Sequence, residues 1–153
     1  MKAKKIAAVM LAATMTLSLA ACGGSSSSDS KSADGASDSG KVYKIGICQQ
    51  LEHEALDQAT KGFEDACEEK FGKDNVTFDL QNGQGEQANC ATIANNFVAD
   101  NVDLIMANAT TALQCSAAAT SDIPILGTSI TDYATALDIS DWTGATGMNI
   151  SGT

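Results

Sequence analysis

The sequence predicts an α/β fold, a Rossmann-like parallel sheet flanked by helices, and three observations carry that prediction. Short β-branched runs alternate with amphipathic stretches of helical period from Val42 onward. One run, Val102 to Ala107, is apolar almost throughout, as expected of a strand covered on both faces. The order strand–helix–strand–helix–strand–helix–strand closes as right-handed βαβ units.

Val42 to Cys48 (VYKIGIC) reads as the first strand. Ala55 to Phe71 places Leu56, Ala59, Phe63, Ala66 and Cys67 on one helical face, with Gly72 as its stop. Val76 to Leu80 is the second strand, and Gln87 to Asp100 a helix with Cys90, Ile93, Ala94, Phe97 and Val98 on one side. After the strand Val102 to Ala107, the Ala-rich stretch Thr111 to Thr120 is helical, and Ile123 to Leu126 is the fourth strand. The last residues, Thr146 to Thr153, read as a strand entering a new segment, so the chain is expected to continue. Residues 42–153 suit one lobe of an α/β protein.

Ahead of this lobe stand two other segments. Lys2, Lys4 and Lys5 precede an apolar run from Ile6 to Leu19, which ends in Leu19-Ala20-Ala21-Cys22. Its 14 residues fall short of the roughly 20 that span a bilayer. A basic start, a short apolar run and small residues before a cysteine make residues 1–21 a lipoprotein signal peptide. Cys22 is then the lipidated N-terminus of an extracytoplasmic protein held at the cell membrane. Residues 22–41 read as a flexible tether, since Gly23 to Gly40 is Ser, Gly, Asp, Ala and Lys with no large apolar side chain.

Cleavage before Cys22 leaves six lysines, no arginine and nineteen acids, a net charge of −13. Such a surface repels nucleic acid and anionic lipid headgroups, so contact with the membrane is expected through the anchor alone. Cys48, Cys67, Cys90 and Cys115 contain no C-x-x-C pair, and His53 is the only histidine, so metal-site spacing is absent. Each cysteine falls within a periodic helix or strand, which favours four small buried apolar residues over two disulfides.

Gly83-Gln84-Gly85-Glu86-Gln87-Ala88 matches a G-x-G-x-x-A fingerprint, but it follows the second strand and places Glu86 where pyrophosphate would sit. The glycines are expected to serve a tight turn, and no cofactor is predicted. The Asn-x-Ser/Thr triplets at Asn75, Asn108 and Asn149 are read as accidental. No G-x-S-x-G elbow or other nucleophilic set is present, and Glu64-Asp65 and Glu68-Glu69 lie on a solvated helix face, so no enzyme is expected.

Polar residues instead gather just after strand ends. Gln49, Gln50, Glu52 and His53 follow the first strand, Asn108, Thr110 and Thr111 the third, and Thr128, Ser129, Thr131 and Asp132 the fourth. In an open parallel sheet these ends share one crevice, where ligands bind. Thr110 or Thr111 also suits the N-cap of the helix that follows.

At these loops the chain resembles the ABC-transporter substrate-binding proteins of the tryptophan/tyrosine type. The resemblance lies in Ile45 to Gln49, Glu52 to Asp57, Ala59 to Phe63, Asn82 to Gly85, Ala91 to Ala94, Ala109 to Ala112 and Gly127 to Asp132. Glu54 and Tyr133 stand where the family often has proline. The resemblance implies the first lobe of a two-lobed periplasmic-binding-protein fold, closing on a ligand by hinge motion. It further implies capture of a small ligand, an aromatic or other amino acid, for the permease of an ABC importer. A sensor module of the same fold, passing ligand occupancy to a signalling partner, is the alternative.

An amino acid presents a carboxylate and an ammonium, both needing partners once water is excluded. The helix start at Thr110-Thr111 suits the carboxylate. Asp132, beside Thr128 and Ser129, suits the ammonium, with Glu52 second or serving as a cap of the first helix. Gln49, Gln50 and Asn108 are expected to give the neutral hydrogen bonds that orient the ligand.

Overall fold

The computed structural model describes residues 40–153, so the signal peptide, Cys22 and most of the tether lie outside the described residues. Five strands form one all-parallel sheet: β1 (Tyr43–Gln49), β2 (Val76–Asn82), β3 (Leu104–Asn108), β4 (Ile125–Thr128) and β5 (Ile150–Gly152), in the order β2-β1-β3-β4-β5. Helices α1 (Glu54–Phe71), α2 (Gln87–Ala99) and α3 (Thr110–Ala119) form the crossovers, and a short α4 (Tyr133–Ala136) follows β4.

Because the chain moves outward from β1 to β2 and then returns past β1 to β3, the helices divide between the two faces. Ile45, Ile47 and Met106 pack with Cys67 and Phe63 of α1 on one side. Cys48, Ile105, Ala107 and Ile125 pack with Cys90, Ile93, Ala94 and Phe97 of α2 and with Ala112, Leu113 and Cys115 of α3 on the other. Alternate residues of β1 thus serve opposite faces, and β1 and β3 are buried on both. A side chain at Gly46 would strike the Phe97 ring, with a Cβ only 2.6 Å from Cγ, so this glycine permits the close seating of α2.

The expected α/β parallel sheet is present, with local differences in its elements. β4 starts at Ile125, not Ile123, because Pro124 has no N–H to enter the ladder, whereas Ile125 donates to Asn149 O. β3 begins at Leu104: Val102 N closes the turn after α2 on Phe97 O, and Asp103 N donates to Lys44 O of β1 just ahead of the paired residues. The final segment pairs only over Ile150–Gly152, in parallel with β4. All four described cysteines are buried and free. Among the described residues no helix is long and apolar enough to cross a membrane.

Candidate functional site

The carboxyl ends of three neighbouring strands stand side by side: Gln49 of β1 pairs with Asn108 of β3, and Asn108 with Thr128 of β4. Backbone bonds continue the alignment into the loops. Gln50 N donates to Asn108 O at 3.1 Å, and Ala109 N to Thr128 O at 3.0 Å. Gly83 N donates to Gln49 O and Gly85 N to Gln50 O, each at 2.8 Å, so the glycine loop after β2 is stitched to the same floor. Its glycines serve a turn: Gly85 has φ 78° and the intervening Gln84 φ 55°. The switch in strand order falls between β1 and β3, where a parallel sheet offers a crevice.

The side chains at this edge do three different things. Gln49 and Asn108, expected to orient a ligand, turn beneath α1. Gln49 Nε2 donates to Asp57 Oδ1 at 2.6 Å and to Leu51 O at 3.0 Å, while its Oε1 accepts from Thr60 Oγ1 at 2.7 Å. Asn108 Nδ2 donates to Leu56 O at 2.8 Å and to Thr60 Oγ1 at 3.0 Å. Gln49 is 4% exposed, Thr60 3% and Asn108 fully buried, which makes them a polar dock for α1. Among the buried side-chain atoms of the described residues, Asn108 Oδ1 has no hydrogen-bond partner. Sequence could not separate these roles, because Thr60 lies in mid-helix and looks like a surface residue until α1 is seated.

Gln50 acts at the crevice itself. Its Oε1 accepts from Thr111 N at 3.2 Å, so a neutral oxygen sits at the start of α3, where a ligand carboxylate was expected. Neither Thr110 nor Thr111 is the cap of that helix. The N-cap is Ala109, with no side-chain cap bond and with φ 85° and ψ 162°, a backbone region that favours glycine. Thr110 and Thr111 are the first helical residues, both half-buried at the rim.

The β4 loop forms the third group. Thr128 is half-buried and Ser129 exposed, the latter at φ 58°. Asp132 is exposed and caps α4, its Oδ1 accepting from Ala134 N at 2.9 Å and its Oδ2 from Thr135 Oγ1 at 2.8 Å. The Thr135 bonds hold this carboxyl below the usual aspartate value. Tyr133, where the family often has proline, donates its hydroxyl to Gly127 O at 2.8 Å and rests against Gly127 and Gly152. The sequence marks Tyr133 as a replacement for proline that alters the loop holding Asp132, but not the bond of its hydroxyl to Gly127 O.

Glu52 stands apart from Asp132. It is exposed and lines a groove of about 470 Å³ beside α1, with Gln49, Asp57 and Leu80. It is not the cap of α1; that role falls to His53, whose Nδ1 accepts from Ala55 N at 3.2 Å. Glu54 occupies the first helical position, where an acid complements the helix dipole.

With this geometry in view, the likeness to known proteins is specific. The profile described as ABC transporter substrate binding protein matches residues 44–153. A "Tyrosine-binding protein" of Clostridioides difficile is 40% identical over 134 residues, covering 86% of this chain and 39% of that protein. The ligand-free, open structure of a substrate binding protein with adhesive properties from Clostridium difficile superposes with a TM-score of 0.67 at 40% identity, covering 72% of this chain and 38% of that one. An ABC domain in complex with L-Trp from Streptococcus pneumonia gives 0.67 at 35% identity, covering 74% and 38%. The chain therefore spans about two-fifths of the length of these relatives. With its parallel sheet, polar strand ends and match over residues 44–153, the chain belongs to the ABC transporter substrate-binding protein family.

Proposed function

We propose that this chain is the first lobe of a lipid-anchored, extracytoplasmic receptor that captures an aromatic amino acid for an ABC importer. The observation that carries the reading is the in-register row Gln49–Asn108–Thr128, with polar loops rising from all three strand ends. Relatives named for tyrosine binding and solved with L-Trp support the ligand class. The carboxylate rests at Thr110-Thr111, displacing Gln50 Oε1, because an anion there gains more from unpaired N–H groups than a neutral amide does. Asp132 receives the ammonium while keeping its cap bonds, since a carboxylate has lone pairs for both. Thr128 and Ser129 hydroxyls flank it. Glu52 is the second anion, across the crevice floor. Gln49 and Asn108 act indirectly, by seating α1 and the floor.

Calorimetric titration with L-tryptophan and L-tyrosine tests this in a protein of the relatives' length. Asp132→Ala should weaken binding ~100-fold, the usual effect of stranding a buried charge. Wild-type affinity in that variant removes Asp132 from the site. The anchor is tested separately: Cys22→Ser should move the protein out of the membrane fraction, and unchanged membrane association refutes lipidation.

A further inference from the structure

Three of the four described cysteines meet in one place. Cys48 of β1, Cys90 of α2 and Cys115 of α3 belong to the same buried cluster, and Cys90 Sγ lies against Gly83, whose N–H bonds the carbonyl of Gln49, the residue next to Cys48. Cys115 instead donates its Sγ to Gln87 O at 3.6 Å. Cys67 lies across the sheet in the other cluster. The Cys48–Cys90 pair sits directly under the crevice floor. Cys48 precedes Gln49 and Gln50, while Cys90 Sγ lies against Gly83, so closely that a side chain on that glycine would strike it. No group of three or more His, Cys, Asp and Glu side chains among the described residues is arranged to hold a metal ion.

We propose that Cys48 and Cys90 are a dithiol that a small-molecule disulfide converts into an intramolecular disulfide, locking β1 to α2 beneath the crevice floor. One cysteine thiolate attacks the disulfide R–S–S–R and forms a mixed disulfide, and the departing thiolate takes up the proton as RSH. The second cysteine thiolate attacks the sulfur of the first, the Sγ–Sγ bond forms, and a second RSH leaves. Two protein thiols are oxidised and one small disulfide is reduced. Burial pushes both thiols up, so the exchange runs while α2 is unseated, during folding or local opening, and not in the closed core. The link would join the strand that carries Gln49 and Gln50 to the helix behind Gly83, and so fix two sides of the floor.

The test refolds the full chain carrying Cys22→Ser from urea with glutathione disulfide, then alkylates, digests and maps it without reduction. The expected product is two hydrogens lighter, with one Cys48–Cys90 link and with Cys67 and Cys115 alkylated. Its urea midpoint should lie roughly 1 M or more above that of the same chain after reduction. Four alkylated thiols in the refolded chain, a major link through Cys67 or Cys115, or an unchanged midpoint would each overturn the proposal. Cys90→Ala, which keeps a small apolar group in the core, should abolish the link while retaining the wild-type circular dichroism, and a link persisting in this variant also overturns it.

Discussion

At the scale of single residues, several of the polar side chains near the strand ends carry a structural hydrogen bond of their own. Asp132 is the clearest instance, because the carboxylate proposed to meet the ammonium also caps α4. Removing it should therefore lower the thermal midpoint by roughly 5 °C as well as weaken binding, where a purely ligand-facing residue would leave stability unchanged. Asp103 shows the same economy at the opposite end of the sheet. Its Oδ1 pairs with Lys41 Nζ at 2.8 Å and its Oδ2 accepts from Lys44 N at 2.8 Å, which holds its carboxyl below the usual value. A folded-state value below the unfolded one stabilises the fold above the unfolded value, and that contribution disappears as pH falls through the folded one. The difference in thermal midpoint between wild type and Asp103→Asn should thus be largest at neutral pH and shrink toward zero as the pH falls below the usual aspartate value. A difference that stays constant across that range would show that the ion pair is not its source.

At the scale of elements, α1 is held by a polar dock as much as by its apolar face. Thr60 Oγ1 donates to Gln49 and accepts from Asn108, so its hydroxyl joins two strand ends to the helix. Thr60→Val keeps the shape but strands Gln49 Oε1 and leaves Asn108 with its oxygen already unpartnered. The expected loss is about 1–3 kcal/mol in urea unfolding, and a neutral result would mean that water replaces the hydroxyl without cost. This dock marks where sequence reading stopped. The crossovers α1, α2 and α3 were legible because their apolar periodicity is local, and β1 and β3 because their apolar runs are. The direction in which Gln49, Gln50 and Asn108 point is decided by which helix covers which face, a long-range fact that strand-end position does not encode. The cap of α3 was misjudged for a related reason. Ala109 takes a strained backbone angle because its N–H is drawn to Thr128 O, and a propensity argument prefers Thr110 or Thr111 there. The four-residue α4 is too short to have a period at all.

At the scale of the whole molecule, the described lobe offers one wall. Its strand ends, the N-terminus of α3 and the β4 loop all open in one direction, and Thr110, Thr111 and Thr128 are only half-buried. A ligand pocket ordinarily buries 70–90% of a small molecule, and a single sheet edge cannot do so. An amino acid resting here would keep much of its ammonium hydration, so Asp132, itself exposed, would gain little from pairing with it. The same groups become worth several kcal/mol only when a second surface excludes water. The charge pattern points the same way, since a lobe whose residues 42–153 carry sixteen acids and four lysines would depend on placed hydrogen bonds, not on its overall field, to hold an anionic carboxylate. Titration of residues 22–153 with L-tryptophan should accordingly show no saturation below ~1 mM, whereas a protein of the relatives' length should saturate at least 100-fold lower. Saturation of the 22–153 lobe at micromolar tryptophan would show that one wall suffices, and would place the binding energy in the strand-end row alone.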